Sequence, residues 1–235
     1  MLAITEFDFG TLTLSSLKLL GDVHLNNGSV RLTRDLAVPN FGAGRVLYSK
    51  PVRFKQPSTP FPASFSTFFT FSVNNLNPSS ICGGLAFIIS PNDEVVGDAD
   101  GFLGLQSVED PGSGSGSSFV AVEFDTLMDV EFKDINSNHV GLDLNSMVSS
   151  QVSDLGATDI DLKSGDLVNC WIEFSGSICG EGERARKAEK INKKEREIKK
   201  RQRKKYKKGS WGRIVILDLF WTCCVRIREN KDYPV

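Results

Sequence analysis

Four of the five carboxylates in a 17-residue span, and its one imidazole, could do chemistry together: Glu123, Asp125, Asp129, Asp134 and His139. In Val120-Ala121-Val122-Glu123-Phe124-Asp125 the alternation of an extended strand puts Glu123 and Asp125 on one face and Phe124 on the other. A loop then adds Asp129 and Asp134, and the next extended segment opens with His139. Brought together without a cation, these groups would repel one another strongly. Carboxylates joined by backbone carbonyls suit Ca²⁺, and a carboxylate set with one His suits Mn²⁺ or a similar transition ion. An acidic loop beside a lone His is also a common solvated surface feature, and spacing alone leaves both readings open.

The elements that must position these groups read as strands. Phe65-Ser66-Thr67-Phe68-Phe69-Thr70-Phe71-Ser72-Val73 has the aromatic and Thr content of a pleated, half-buried surface. Val23-His24-Leu25 and Val30-Arg31-Leu32 flank Asn26-Asn27-Gly28-Ser29, whose Asn and Gly accept positive φ, so a hairpin is predicted. Gly84–Ile89, Gly101–Leu105, Phe119–Asp125, His139–Asn145 and Val168–Phe174 are further strand predictions, with Trp171 expected in the core and His24 at a surface or edge. Gly112 to Ser118 reads as a flexible Gly/Ser loop. No amphipathic helix stands out before residue 179. Many short strands separated by turn clusters predict an all-β sandwich or barrel.

The net charge of −1 hides two compositions. Residues 1–178 carry 9 basic and 21 acidic side chains, and residues 179–235 carry the other 19 basic and 8 acidic ones. Fifteen of the sixteen Phe precede residue 179. The longest apolar run, Ile214 to Val225, has 12 residues and contains Asp218, well short of the ~20 a membrane helix needs. No signal peptide is visible in the opening residues, where Thr5 and Glu6 follow Met1-Leu2-Ala3-Ile4. The five cysteines (Cys82, Cys170, Cys179, Cys223, Cys224) have neither disulfide-framework nor zinc spacing. No nucleophile elbow, phosphate-cradling glycine motif or kinase signature is present, and no catalytic residue is assigned: the chain does not read as an enzyme.

Val120–Ser146 resembles the metal-binding segment of legume (L-type) lectins, E-x-D-T, a loop Asp, then H-x-G-x-D-x-N-S. Here these are Glu123, Asp125, Thr126, Asp134, His139, Gly141, Asp143, Asn145 and Ser146. The resemblance extends to Phe7-Asp8-Phe9, Gly84-Leu85-Ala86-Phe87 and Gly101-Phe102-Leu103-Gly104-Leu105, about three-quarters of the chain. Asp8 to Leu12 and Phe124 to Asp129 are most similar to the lectin ectodomains of plant L-type lectin receptor kinases. The resemblance implies a jelly-roll sandwich of antiparallel sheets, an extracellular or cell-surface location and carbohydrate binding, and it leaves a homodimer open. It further implies that Glu123, Asp125, Asp134 and His139 hold the transition ion. Ca²⁺ would take Asp125, the Leu127 carbonyl, Asp129 and Asp134. Both ions would be structural, fixing the loop that meets the sugar.

The sugar site implied by the resemblance departs from the pattern. The position of the family's sugar-binding Asp is Gly83, which has no side chain to accept hydroxyls. Asp129 replaces an Asn and so lacks its amide donor. Leu127 stands where an aromatic platform is expected, and Gly101 keeps its place as the backbone donor. Without that Asp, the bond from Cys82 to Gly83 is expected to be trans rather than cis. Weak or absent monosaccharide affinity follows, and a metal-stiffened module binding a protein or an apolar ligand becomes the alternative.

The pattern ends at Ser175-Gly176-Ser177. Residues 1–177 therefore read as a partial lectin domain, and residues 178–235 as a basic, disordered or non-native tail. The absent closing strands would leave their partners as open sheet edges. The run Lys199 to Lys208 allows one more reading, a nucleic-acid-binding or nuclear-import segment. Nothing near it reads bases, so nucleic acid is not the expected partner; a glycan or glycoprotein is. Asn27-Gly28-Ser29 is the one glycosylation sequon.

Overall fold

The computed structural model describes residues 14–26, 29–34, 42–54, 62–74, 83–91, 93–94, 96–107, 118–176, 215–218 and 223–229. Among these the regular structure is β, with two short 3₁₀ turns, Leu14–Ser16 and Asp100–Phe102, and every ladder is antiparallel. No helix among the described residues is long and apolar enough to cross a membrane. The chain divides into two compact units, Met1–Val52 with Asn75–Asp154, and Arg53–Asn74 with Leu155–Val235.

In the first unit, β1 (Leu17–Gly21) pairs with β4 (Gly44–Tyr48), and β2 (His24–Asn26) pairs with β3 (Ser29–Arg31). The hairpin partners match the sequence expectation, with His24 opposite Arg31; Asn27 and Gly28 lie outside the described residues. The larger sheet has the order β6 (Gly84–Ile89), β7 (Val120–Asp125), β8 (His139–Leu144), β9 (Gln151–Asp154). Its centre is β7, where Ala121, Val122, Glu123, Phe124 and Asp125 are all buried, as a central strand covered on both faces requires. Phe119, Ala121, Leu105 and Met147 form a core against which Ala86, Ile88, Phe102, Leu103 and Phe132 pack.

In the second unit, β5 (Phe65–Phe71) and β10 (Val168–Phe174) pair over seven residues, from Phe65 opposite Phe174 to Phe71 opposite Val168. The other edge of β10 carries β12 (Cys223–Glu229), which in turn pairs with β11 (Val215–Asp218). Burial along β10 has a period of two: Val168, Cys170 and Ile172 are buried, and the residues between them only half so.

Three sequence expectations change. Gly101–Leu105 is not a strand: Leu103 and Gly104 both have positive φ (49° and 70°), and the Gly104 amide closes a turn onto the Asp98 carbonyl at 2.7 Å. Trp171 is not in the core. It falls on the opposite face of β10 from Cys170 and Ile172, with its ring 4.6 Å from the half-exposed Phe68. The β10 edge is paired rather than open. The Gly112–Ser118 loop up to Ser117, residues 178–214 of the tail, and the Cys82–Gly83 bond at Cys82 lie outside the described residues.

Candidate functional site

The site grows out of the register of β7 and β8. Asp125 pairs with His139, Glu123 with Gly141 and Ala121 with Asp143, so the alternation stacks Glu123, Asp125, His139 and Asp143 on one face. All four are buried. One donor atom from each of Glu123, Asp125 and His139 can be chosen so that the three lie within 4.8 Å of one another. Gly141 sits in their midst, where any side chain would have to displace its neighbours. A Cβ there would collide with the Ser149 hydroxyl and the Glu123 Oε1, and would stand 2.8 Å from the Glu123 carboxyl carbon.

The loop after β7 is folded by its own carboxylates. The Leu127 amide donates to Asp125 Oδ1 (2.6 Å) and the Asp129 amide to Asp134 Oδ2 (2.7 Å). The Asp134 amide returns to the Asp129 carbonyl (3.1 Å), and the Glu131 amide donates to Asp129 Oδ1 (3.0 Å). These bonds hold Asp134 over the strand pair, with its Oδ1 3.8 Å from His139 Nε2. Leu127 is half-buried between Asp125 and Asp129 in the loop.

His139 shows what the cluster is suited to hold. Its Nδ1 lies 2.8 Å from the Asn136 carbonyl, which can only accept, so Nδ1 carries the proton. Nε2 of the neutral ring therefore offers a lone pair. That atom is fully buried, has no hydrogen-bond partner among the described residues, and faces Glu123 Oε1 at 3.6 Å and Asp134 Oδ1 at 3.8 Å. A lone pair aimed at two carboxylates is an unfavourable arrangement that one cation between them satisfies. The donor set present fits a divalent ion of the His-and-carboxylate type.

The electrostatics of the metal-free centre show protons held where a cation would otherwise balance the charge, and a bound cation would require the neutral form of the His139 ring. Burial pushes the Asp125 carboxyl up to about 7, against the Leu127 amide that lowers it; the charge of Asp134 adds to the rise. Burial likewise raises Asp134. Burial works to lower His139, but Glu123, the Asn136 carbonyl and the charge of Asp125 outweigh it and leave the imidazole raised. Burial also works to raise Glu123, and His139, the Ser149 hydroxyl and Asp143 overcome it, leaving Glu123 lowered.

Two residues here had no role assigned from sequence. The Ser149 hydroxyl lies 2.7 Å from both Glu123 Oε1 and Asp143 Oδ1. Asp143 is fully buried and, by burial first and the Glu123 charge second, pushed up to about 8. Its place on the face was legible, since His139, Gly141 and Asp143 alternate. Ser149 comes from the loop after β8, and no spacing announces it.

The expected sugar-site residues lie along the same loop. The Gly83 carbonyl accepts from the Thr126 amide (3.4 Å), beside the Gly84–Asp125 pair. Gly101 packs against the loop, where a Cβ would stand 2.7 Å from Asp129 Oδ2 and 2.8 Å from the Phe132 ring. Gly83 thus touches the segment holding Leu127, and Gly101 touches Asp129.

Gly141→Ala is expected to lower the melting temperature in chelator, by overpacking worth about 1–3 kcal/mol, and to weaken divalent-ion binding by displacing Glu123. A thermal melt and a metal titration check this; wild-type values in both would remove Gly141 from the design of the site.

The legume lectin domain family profile matches residues 4–179. The chain is similar to the L-type lectin-domain containing receptor kinase VIII.2 of Arabidopsis thaliana, 67% identical over 173 residues, which is 74% of this chain and 24% of that protein. Receptor kinase VIII.1 of the same plant is 65% identical over 172 residues, 73% of this chain and 24% of that protein. This chain thus spans about a quarter of the length of these curated relatives. Among solved structures, the metal-free form of lectin I-B4 from Griffonia simplicifolia has a TM-score of 0.62 at 32% identity, covering 72% of this chain and 71% of that one. The Bauhinia forficata lectin in complex with GalNAc has a TM-score of 0.60 at 29% identity, covering 70% and 69%. From strand register, site residues and these likenesses together, the chain belongs to the legume lectin domain family and has its all-β fold.

Proposed function

We propose that this chain is an extracellular carbohydrate-recognition module whose ligand-facing loop is set by structural metal ions. The observation that carries the reading is the buried Nε2 of His139, without a hydrogen-bond partner among the described residues and facing Glu123 and Asp134. Glu123, Asp125, Asp134 and His139 would hold a transition ion such as Mn²⁺. Asp125, the Leu127 carbonyl, Asp129 and Asp134 would hold Ca²⁺. When bound, the ions supply rigidity and charge balance. The chain's own groups meet the ligand through the Gly101 backbone, Asp129 and the apolar side chain of Leu127. Residues 1–177 make up the recognition domain, supported by the family match to residues 4–179. No catalytic role is proposed for any residue.

Gly83 favours a second reading. A glycine just before β6 offers no carboxylate to a sugar, so the metal-stiffened loop would instead serve a protein or apolar ligand, with little monosaccharide affinity. A glycan array probed with the Ca²⁺- and Mn²⁺-loaded protein, with and without chelator, separates the two. Chelator-sensitive binding competed by a free monosaccharide supports the carbohydrate module. Glycan silence from a protein that melts cooperatively and binds metal supports the second reading. A protein that takes up no divalent ion overturns both.

A further inference from the structure

Arg45 is the one buried residue of β4, at a position where an apolar side chain would be the ordinary choice. Its Nη2 donates to the Gly104 carbonyl at 2.6 Å. Among the described residues no carboxylate pairs with the guanidinium, and burial pulls its pKa down. A buried charge without a counter-charge is costly, so the single carbonyl it holds calls for an explanation. Resting on the functional reading above, we infer that Arg45 is a positioning residue: through the Gly104 carbonyl it fixes the turn that braces the ligand-facing loop at Asp129 and Phe132.

The turn needs holding. Leu103 and Gly104 both have positive φ (49° and 70°), and a leucine in that region persists only where its surroundings fix it. Both polar groups of the Gly104 backbone are tied. Its amide donates to the Asp98 carbonyl (2.7 Å), and its carbonyl accepts from the Gly97 amide (2.8 Å) as well as from Arg45, which uses both lone pairs of that oxygen. The residue before β4 packs there too, since a Cβ on Gly104 would stand 3.3 Å from Ala43 Cβ. At the other end of the turn, Gly101 has no room for a Cβ beside Asp129 Oδ2 and the Phe132 ring, and Phe102 meets the Phe132 ring edge-on with centroids 5.1 Å apart. Contacts this close transmit a displacement rather than absorb it. A loosened Gly104 therefore moves Gly101 and Phe102, and with them the carboxylate of Asp129.

Amide NMR of the full chain in chelator tests this without any ion. Arg45→Met removes the donor and the charge while keeping an apolar stem. It is expected to speed exchange of the Gly97 amide about tenfold, the size of one hydrogen bond to a charged donor, and to shift the amide signals of Asp129 to Phe132. Arg45→Gln, milder in a buried site and too short for the same bond, should do likewise. Arg45→Lys, which still offers a donor, should restore both readings, and exchange in β7 and β8 should stay at wild-type rates in all three. Unmoved loop signals, or equal acceleration in every strand, would overturn the proposal. Calorimetric titration adds a second arm. Arg45→Met is expected to bind Ca²⁺ about tenfold more weakly when saturated with Mn²⁺, and to bind Mn²⁺ alone as the wild type does. Unchanged Ca²⁺ binding, or equal weakening of both ions, would also overturn it. A wild type that takes up no Ca²⁺ would count against the functional reading, while the chelator experiment would still decide the role of Arg45.

Discussion

Stripped of divalent cations, the protein is expected to melt at a higher temperature near pH 5.5 than near pH 8, and loading it with Ca²⁺ and Mn²⁺ should reverse that order. In the metal-free fold, burial raises Asp125 from 3.8 to about 7 and Asp143 from 3.8 to about 8. The native state therefore keeps protons that the unfolded chain releases above about pH 4. Stability falls with pH wherever the native state binds more protons, so it declines across the window from about pH 4 to 8. His139 adds the same sign, because its pKa is raised: its contribution is complete below its unfolded value and is lost as pH rises through the folded one. Glu123 is lowered, so its contribution is lost only as pH falls below the usual carboxylate range, outside the window.

A bound cation requires those carboxylates ionised and His139 neutral, so its affinity rises with pH as the metal-free fold weakens. At 100 times its dissociation constant one ion adds about 2.7 kcal/mol. That corresponds to about 5–10 °C in a domain of this size. Calorimetry at the two pH values, in chelator and in metal, measures all four corners. A metal-free melt independent of pH, or metal that leaves the pH 8 melt unmoved, would contradict a cation site at His139.

The second large effect is a gain. Gly83→Asp combined with Asp129→Asn is expected to raise monosaccharide affinity by about 100–10,000-fold, since two charge-assisted hydrogen bonds are worth ~1.5–3 kcal/mol each. The Gly83 carbonyl is tied to the Thr126 amide at the base of the loop, and Gly101 abuts Asp129 across it. Isothermal titration with simple sugars, in metal and in chelator, would detect the gain. Gly83→Ala is the control and should gain nothing. A double variant that binds metal normally and still ignores every monosaccharide would mean that Gly83 does not face the ligand.

Much of the site was readable from sequence because strand alternation is a strong constraint. Glu123 and Asp125 in one strand, with His139, Gly141 and Asp143 in the next, can share a face in only one phase, and the observed register realises it. Gly101–Leu105 misled because its apolar alternation belongs to a turn, set by the positive φ of Leu103 and Gly104 and the bond back to Asp98. Trp171 misled because size suggested burial, whereas the phase of β10 gave the buried positions to smaller neighbours. β1, β4 and β9 were not anticipated, their alternation being diluted by glycine and polar residues. Ser149 was invisible because a hydroxyl returning from a loop leaves no periodic trace.

That hydroxyl fixes a proton count. Ser149 has one hydrogen and two carboxylate oxygens at 2.7 Å, Glu123 Oε1 and Asp143 Oδ1, so it can donate to only one of them. The other contact is a hydrogen bond only if that carboxyl donates, and the raised pKa gives the proton to Asp143. The remaining acids, Glu123, Asp125, Asp129 and Asp134, then bring four negative charges, the number two divalent ions neutralise. A loaded centre in which Asp143 keeps that proton is electroneutral. Its stability should therefore be nearly indifferent to ionic strength, while the emptied centre, still carrying uncompensated charge above pH 8, should respond to every increment of salt.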